Sequence, residues 1–248
     1  MTDHVDNDGA ASPKLGFRPL YQQVRDMFVR RLVDGRWTPG QALPSEMELA
    51  AEIGVSQGTV RKALDALAAE NLVVRRQGRG TFVAEHDEAR ILFQFFKLAP
   101  DDGERAFPES RVIHIARGAA TPEEGARLAL KRRAQVIRID RVRLLGGRPA
   151  ISERVTLPAA LFPGLDAREV PNNLYGLYAA GYGVTVANAR ERLKAVGLPP
   201  EQAAHLDVAP GAPALLIDRL AIALDGSPVE WRVSYCLTDG FHYASDLR

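Results

Sequence analysis

Between residues 19 and 71 the apolar positions recur every three or four residues, the period of a helix with one buried face. Leu20, Val24, Met27, Phe28 and Leu32, with Arg31 among them, define a first helix behind Pro19. Proline suits a first turn, where its missing amide hydrogen costs nothing. Asp34-Gly35 ends that stretch, and Thr38-Pro39-Gly40 is turn chemistry. Ser45, with Glu48 three residues on, has capping-box spacing and opens a second helix carrying Met47, Leu49, Ala50 and Ile53. Gly54 closes it. Ser56 is the next N-cap candidate, and Val60, Ala63, Leu64 and Leu67 form the stripe of a longer third helix that fades near Asn71. Two short runs, 72–76 and 81–84, then flank Gln77-Gly78-Arg79-Gly80 and read as a β-hairpin. Three helices followed by a hairpin is the order of a winged helix-turn-helix, with Ile53-Gly54-Val55-Ser56 as its tight turn.

From residue 110 the pattern becomes that of strands, predicted over 111–116, 136–145, 150–157, 184–195, 214–224 and 229–237. Short helices fit after Thr121-Pro122-Glu123-Glu124, over 174–180, and after Pro199-Pro200-Glu201. Runs of strands with occasional helices indicate an α+β fold built on an antiparallel sheet. The chain therefore divides into a disordered tail (1–16), a winged helix-turn-helix (17–85), a junction (86–109) and a second domain (110–248). The junction holds an aromatic run at 91–96 and the acidic turn Pro100-Asp101-Asp102-Gly103, and is read as linker plus the first element of the second domain.

At 248 residues, 46% hydrophobic and 25% charged, the chain can bury a core in each domain, which excludes disorder throughout. Its one cysteine, Cys236, excludes an internal disulfide and a cysteine-built zinc site; no metal or cofactor is expected. The first residues lack the basic and apolar segments of a secretory signal, and no apolar run approaches bilayer length, so a cytoplasmic protein without a membrane partner is expected. The net charge of +1 conceals an uneven distribution. Between residues 54 and 84, Arg61, Lys62, Arg75, Arg76 and Arg79 face only Asp65 and Glu70.

That basic segment has the layout of a DNA-reading element. A recognition helix needs polar side chains in its first turn and apolar ones behind. Gln57 and Arg61, four apart, share the outward face and can pair with adenine and guanine respectively. Gly58 leaves room for close approach to the DNA backbone. Ser56 and Thr59 can donate to phosphate, which the helix N-terminus also favours. Arg75, Arg76 and Arg79 suit phosphate or the minor groove. A solvated amphipathic helix with a charged hairpin is the competing reading; the coincidence of helix order, glycines and basic wing opposes it.

The segments Pro19-Leu20-Tyr21-Gln22-Gln23-Val24, 35–44, and Leu43-Pro44-Ser45-Glu46 through Val60-Arg61-Lys62-Ala63-Leu64 resemble the DNA-binding domain of the GntR family, and 77–83 resembles its wing tip. The resemblance implies operator contacts from Ser45, Glu46, Ser56, Gln57, Gly58, Thr59, Arg61, Lys62, Arg75, Arg76, Gln77, Gly78 and Arg79. Met47 and Gln57 stand where many members carry arginines that commonly contact DNA, so the family's usual half-site is not carried over. Residues 110–247 resemble the UTRA domain of the HutC subfamily, which has a chorismate-lyase-like fold. The match rests on 144–149 with its Gly-Gly turn, Glu153 before Leu157-Pro158, Asn173-Leu174-Tyr175 before Gly181-Tyr182-Gly183, 190–196, and 225–230. It implies effector contacts from Arg141, Arg143, Glu153, Asn173 and Glu230. Cys236 replaces an aromatic expected near that pocket.

Arg141 and Arg143 lie two apart on one strand and so face one side, where a carboxylate or phosphate would suit them. A two-residue Gly146-Gly147 turn would place Arg141 opposite Ser152; a three-residue turn including Arg148 would place it opposite Glu153. An ordinary ion-pair cluster on an exposed sheet face is the alternative, more so for Glu230, which shares its strand face with Arg232 and Ser234. The expected protein is a dimeric transcription regulator, a repressor by resemblance, bound to double-stranded operator DNA and controlled by a small anionic effector. Alternatives are a C-terminal domain serving dimerisation alone and an enzyme on the lyase-like fold. No catalytic spacing supports the enzyme: His114, His205 and His242 are scattered. The second half is too short for an aminotransferase domain, and too rich in strands for a helical metal-binding one.

Overall fold

The computed structural model describes residues 18–70, 72–84, 96–102 and 108–245. The expected tail, Asn71 and most of the junction, including Phe93 and Phe95, lie outside these residues.

In the N-terminal domain, helix α1 (Leu20–Val33) starts behind Pro19, and α2 (Glu46–Ile53) starts at Ser45 with a complete capping box to Glu48. Gly54 ends α2 at φ +76°, a left-handed conformation that glycine takes without a Cβ clash. Helix α3 (Gln57–Ala69) follows from Ser56, whose hydroxyl accepts from the Thr59 amide. Val60, Ala63, Leu64 and Leu67 are fully buried and pack with Val24, Phe28 and Leu49. Three members of the expected stripes face solvent instead: Met47 is 70% exposed, Leu20 52% and Met27 40%. On α2 the buried strip is Leu49 and Ala50, and Met47 falls to one flank of it. Trp37, just beyond α1, fills the space against Phe28 with ring centroids 5.1 Å apart. Strands β1 (Val73–Arg76) and β2 (Gly80–Val83) form the wing, with Arg75 opposite Thr81 and Arg76 opposite Gly80.

The second domain is built on a six-stranded antiparallel sheet in the order β4-β5-β6-β9-β8-β7. Its strands are β4 (Glu109–Ala119), β5 (Gln135–Leu145), β6 (Arg148–Pro158), β7 (Val186–Gly197), β8 (Pro213–Ala223) and β9 (Pro228–Leu237). A separate pair, β3 (Leu98–Pro100) with β10 (Phe241–Tyr243), was not expected: Pro100 is paired with Phe241, so the acidic turn starts one residue later. Helices α4 (Pro122–Arg127), α5 (Leu174–Tyr182) and α6 (Pro200–His205) fall where the sequence placed them.

Alternation sorts the sheet into two faces. On one, Ile137, Ile139, Val155 and Leu157 pack against Leu174, Tyr175 and Tyr178 of α5. Further along the same face, Leu145, Ile151, Ile217 and Cys236 pack with Leu98 and Phe241 of the small sheet. The space between these two apolar patches is filled by charge.

Candidate DNA interface and effector site

The three side chains best placed to read DNA converge on one carboxylate. Glu46, the first residue of α2, accepts from Arg61 through Nε at 2.9 Å and Nη2 at 2.8 Å, both on Oε2. Gln57 Nε2 lies 3.3 Å from that oxygen, and Arg75 Nη1 donates to Oε1 at 2.9 Å. Arg75 also reaches Asp65 at 2.7 Å. The Arg61 hydrogen bond, helped by Arg75 against the opposing effect of burial, holds the Glu46 carboxyl below the usual carboxylate range. Recognition helix and wing are thus tied through α2.

Around this centre, Lys62, Gln77, Gly78 and Arg79 are exposed, with Gly78 at φ +70° in the wing turn. The Arg76 guanidinium lies 4.8 Å from the centre of the Phe82 ring. Ser45 and Ser56, both expected at the operator, spend their hydroxyls on helix caps; Ser56 Oγ also bonds Thr59 Oγ1 at 2.9 Å. The shared face of Gln57 and Arg61 was foreseeable from spacing; that Arg75 joins them through Glu46, and the part of Asp65, were not.

On the second domain, Arg141 stands opposite Glu153 and Arg143 opposite Ile151. The pairing of Arg141 with Glu153 is the one expected of a three-residue turn, but it is reached another way. Gly146-Gly147 form a two-residue turn, with Leu145 opposite Arg148, and a bulge between Arg143 and Leu144 then shifts the register by one. Pro149 has no amide to give the ladder, and bulges are where strands tolerate that. The cluster that results is buried, not exposed. Arg141, Arg143, Arg219 and Arg232 are each under 8% exposed, and share their sheet face with Glu153, Glu230 and Glu191.

Within this belt, Glu153 accepts from Arg141 Nε and from Ser234 Oγ at 3.1 Å, with Arg232 and Arg143 at 3.8 and 3.9 Å. Burial pushes its carboxyl up, but the guanidinium groups of Arg141, Arg232 and Arg143 outweigh burial and hold it well below the usual range. Glu230 is enclosed by four donors: Arg232 twice, at 3.0 and 2.8 Å, Tyr175 at 3.1 Å and Tyr178 at 2.8 Å. Burial, and then Glu230, push the Tyr175 hydroxyl up to about 12, so it donates rather than ionises. Arg219 pairs with Glu191 at 2.5 Å, and Tyr243 of β10 donates to the same carboxylate. Burial and the neighbouring Arg141 charge pull the Arg143 guanidinium down to about 9, and its Cζ lies 5.1 Å from the Phe96 ring centre. Asn173 caps α5, accepting from the Gly176 amide at 2.9 Å; it is Asn172 whose carbonyl oxygen lies 3.4 Å from Arg141.

Sequence reasoning put Arg141 and Arg143 on one face, left the facing of Glu153 open and named Glu230 by resemblance; the structure brings these four together, leaves Asn173 as a helix cap, and adds Arg219, Glu191 and the two tyrosines, which were missed. A signal existed for Arg219: it interrupts the inward alternation of Leu215, Ile217 and Ala221 on β8. A cleft of about 360 Å³ opens between the opposite face and α4 and α6, lined by Ser152, Arg154, Thr156, Trp231 and His205 among others. Of the expected effector residues, Glu153 alone reaches it. Among the described residues no acidic, histidine or cysteine cluster could hold a metal ion, and no helix is long and apolar enough to cross a membrane.

Residues 20–83 match the model of the bacterial regulatory proteins of the gntR family, and residues 104–242 match the UTRA domain. The chain belongs to the GntR family, in the branch that carries a UTRA domain. This regulator is 30% identical to the HTH-type transcriptional repressor NagR of Bacillus subtilis over 92% of its own length and 96% of the relative's. It is 31% identical to the histidine utilization repressor of Pseudomonas putida, covering 82% of each chain. The crystal structure of the ligand-binding domain of a GntR-family transcriptional regulator from Bordetella bronchiseptica superposes with a TM-score of 0.59 at 34% identity, over 62% of this chain and 98% of that one. The regulator is a DNA-binding protein of transcription control and not an enzyme, and its architecture is a helix-turn-helix followed by an antiparallel-sheet domain.

Proposed function

We propose that this regulator is a cytoplasmic repressor, that it binds a two-fold operator as a homodimer, and that a small anionic metabolite held on the guanidinium belt sets its operator affinity. The observation that carries the effector reading is the belt itself. Among the described residues it sets four buried guanidinium groups beside three carboxylates. A planar carboxylate or a phosphate matches the fork geometry of arginine. Arg141 and Arg143 supply the anion contact in this reading, and Glu153 accepts from polar groups of the ligand. Glu230, enclosed by its four donors, positions Arg232 and the two tyrosines. The names of the relatives point the same way. They include repressors of histidine utilization and of mannosyl-D-glycerate transport and metabolism, and both named compounds carry a carboxylate.

An anion can alter DNA affinity only by preferring one arrangement of the protein over another. Phe96, beside Arg143 and within the junction, is where such a preference would be passed on. The test is a thermal-shift screen of sugar phosphates and carboxylates, followed by calorimetry and gel shift with the compound that stabilises the wild type. Arg143→Ala is expected to bind operator normally and to lose the ligand response. Wild-type ligand affinity in that variant would remove Arg143 from the site.

A further inference from the structure

Glu46 is an odd residue to find at the centre of a DNA-binding surface, since a carboxylate repels phosphate. Its geometry gives it a use. Arg61 meets Glu46 side-on, through Nε and Nη2. That leaves the end-on edge, Nη1 and the outer hydrogen of Nη2, directed away from the carboxylate, and this is the edge that pairs with O6 and N7 of guanine. Arg61 is 58% exposed while Glu46 is 15% exposed, so the arginine presents outward from a fixed base. The same carboxylate holds Arg75 of the wing through its other oxygen.

We propose that Glu46 is a specificity-determining positioning residue, which presents the end-on edge of Arg61 to a base and offsets the attraction of Arg61 and Arg75 for phosphate. Without it, two mobile arginines gain as much from any phosphate as from the right base. With it, their charge is partly spent inside the protein, and non-specific binding, which rests on charge alone, falls more than specific binding. The inference rests on α3 being the reading helix.

The test starts from duplexes that the full-length wild-type protein selects out of a randomised pool, set beside a scrambled duplex of equal composition. If the pool yields no preferred sequence, the DNA reading itself fails and this inference fails with it. Given a preferred sequence, Glu46→Gln keeps the side chain's shape and removes its charge. It is expected to bind the scrambled duplex more tightly, with a salt slope steeper by about one. Its preference at one base pair of each half-site should fall about tenfold. In an Arg61→Ala background the same change should leave that base pair's preference unaltered, because Glu46 then has nothing to present. Equal weakening on both duplexes by a folded Glu46→Gln protein would overturn the proposal, as would a base preference that still changes when Arg61 is absent. Unchanged affinities and slope would overturn it too.

Discussion

Gly58 is the second residue of α3, and a methyl group added there meets nothing nearer than Ser56 Oγ at 3.9 Å. Within the protein, alanine is therefore the better helix residue by up to about 1 kcal/mol. Glycine at this place makes sense if a DNA backbone comes close. Gly58→Ala is expected to raise the melting temperature and to weaken operator binding; unchanged binding would mean that this turn does not approach DNA. The two kinds of arginine should also separate. Arg61→Ala is expected to weaken operator binding roughly ten- to a hundredfold and to relax one base position. Arg79→Ala at the exposed wing tip should weaken binding to all sequences alike and flatten the salt slope. Quantitative gel shifts at several salt concentrations with operator and scrambled duplexes distinguish them. At this scale the sequence was legible wherever a residue has one use. Val60, Ala63, Leu64 and Leu67 are buried as their spacing required, and Gly54 is left-handed as its place required. It was not legible where one oxygen has two uses: Ser45, Ser56 and Asn173 read equally well as ligand contacts and as caps, and in the structure each is a cap.

The strands themselves were predicted to within a few residues, because alternation over ten positions is a strong signal, but their register was not. The β5–β6 pairing turns on a bulge at Ala150 that no periodicity announces, and one residue of slip would have sent Glu153 to the other face. Strands β3 and β10 are three residues each and pair across most of the second domain, so neither length nor period betrays them. The register has an energetic consequence. Glu153 is nearly inaccessible beside three guanidinium groups, so its removal leaves buried positive charge without its main counter-ion. Breaking a buried ion pair from one side costs about 3–5 kcal/mol, and Glu153→Gln is expected to lose stability in that range. Because its folded-state carboxyl sits below the unfolded one, the contribution is complete above the unfolded value of about 4.3 and is lost as pH falls beneath it. Urea denaturation should accordingly show a constant gap between wild type and variant from pH 6 to 8, closing in more acid solution. A gap that persists undiminished at low pH would show that the loss is one of packing and not of charge.

One winged helix covers a single half-site, and two-fold operators are read by two-fold proteins whose reading helices lie one helical turn of DNA apart. The second domain offers open sheet edges for such assembly. Its sheet ends in two long edge strands, β4 and β7, and each exposes one large aliphatic side chain: Ile113 and Leu193, both at 44%. Both edges also carry features that discourage indiscriminate pairing. A bulge sits beside Ile113, and Arg192 and Lys194 flank Leu193. An edge guarded in this way pairs with a matched partner more readily than with a random one, which favours a specific dimer over aggregation. Sedimentation of the wild type at micromolar concentration is expected to give a dimer. An aspartate at the position lying in the interface, Ile113→Asp or Leu193→Asp, should give a folded monomer. That monomer should bind a single half-site as the wild type does but lose the gain from joining two half-sites, so its affinity for the full operator should collapse toward the half-site value. If both variants stay dimeric, the association does not use the sheet edges; if the wild type is monomeric with and without operator, the two-fold reading of the whole molecule is wrong.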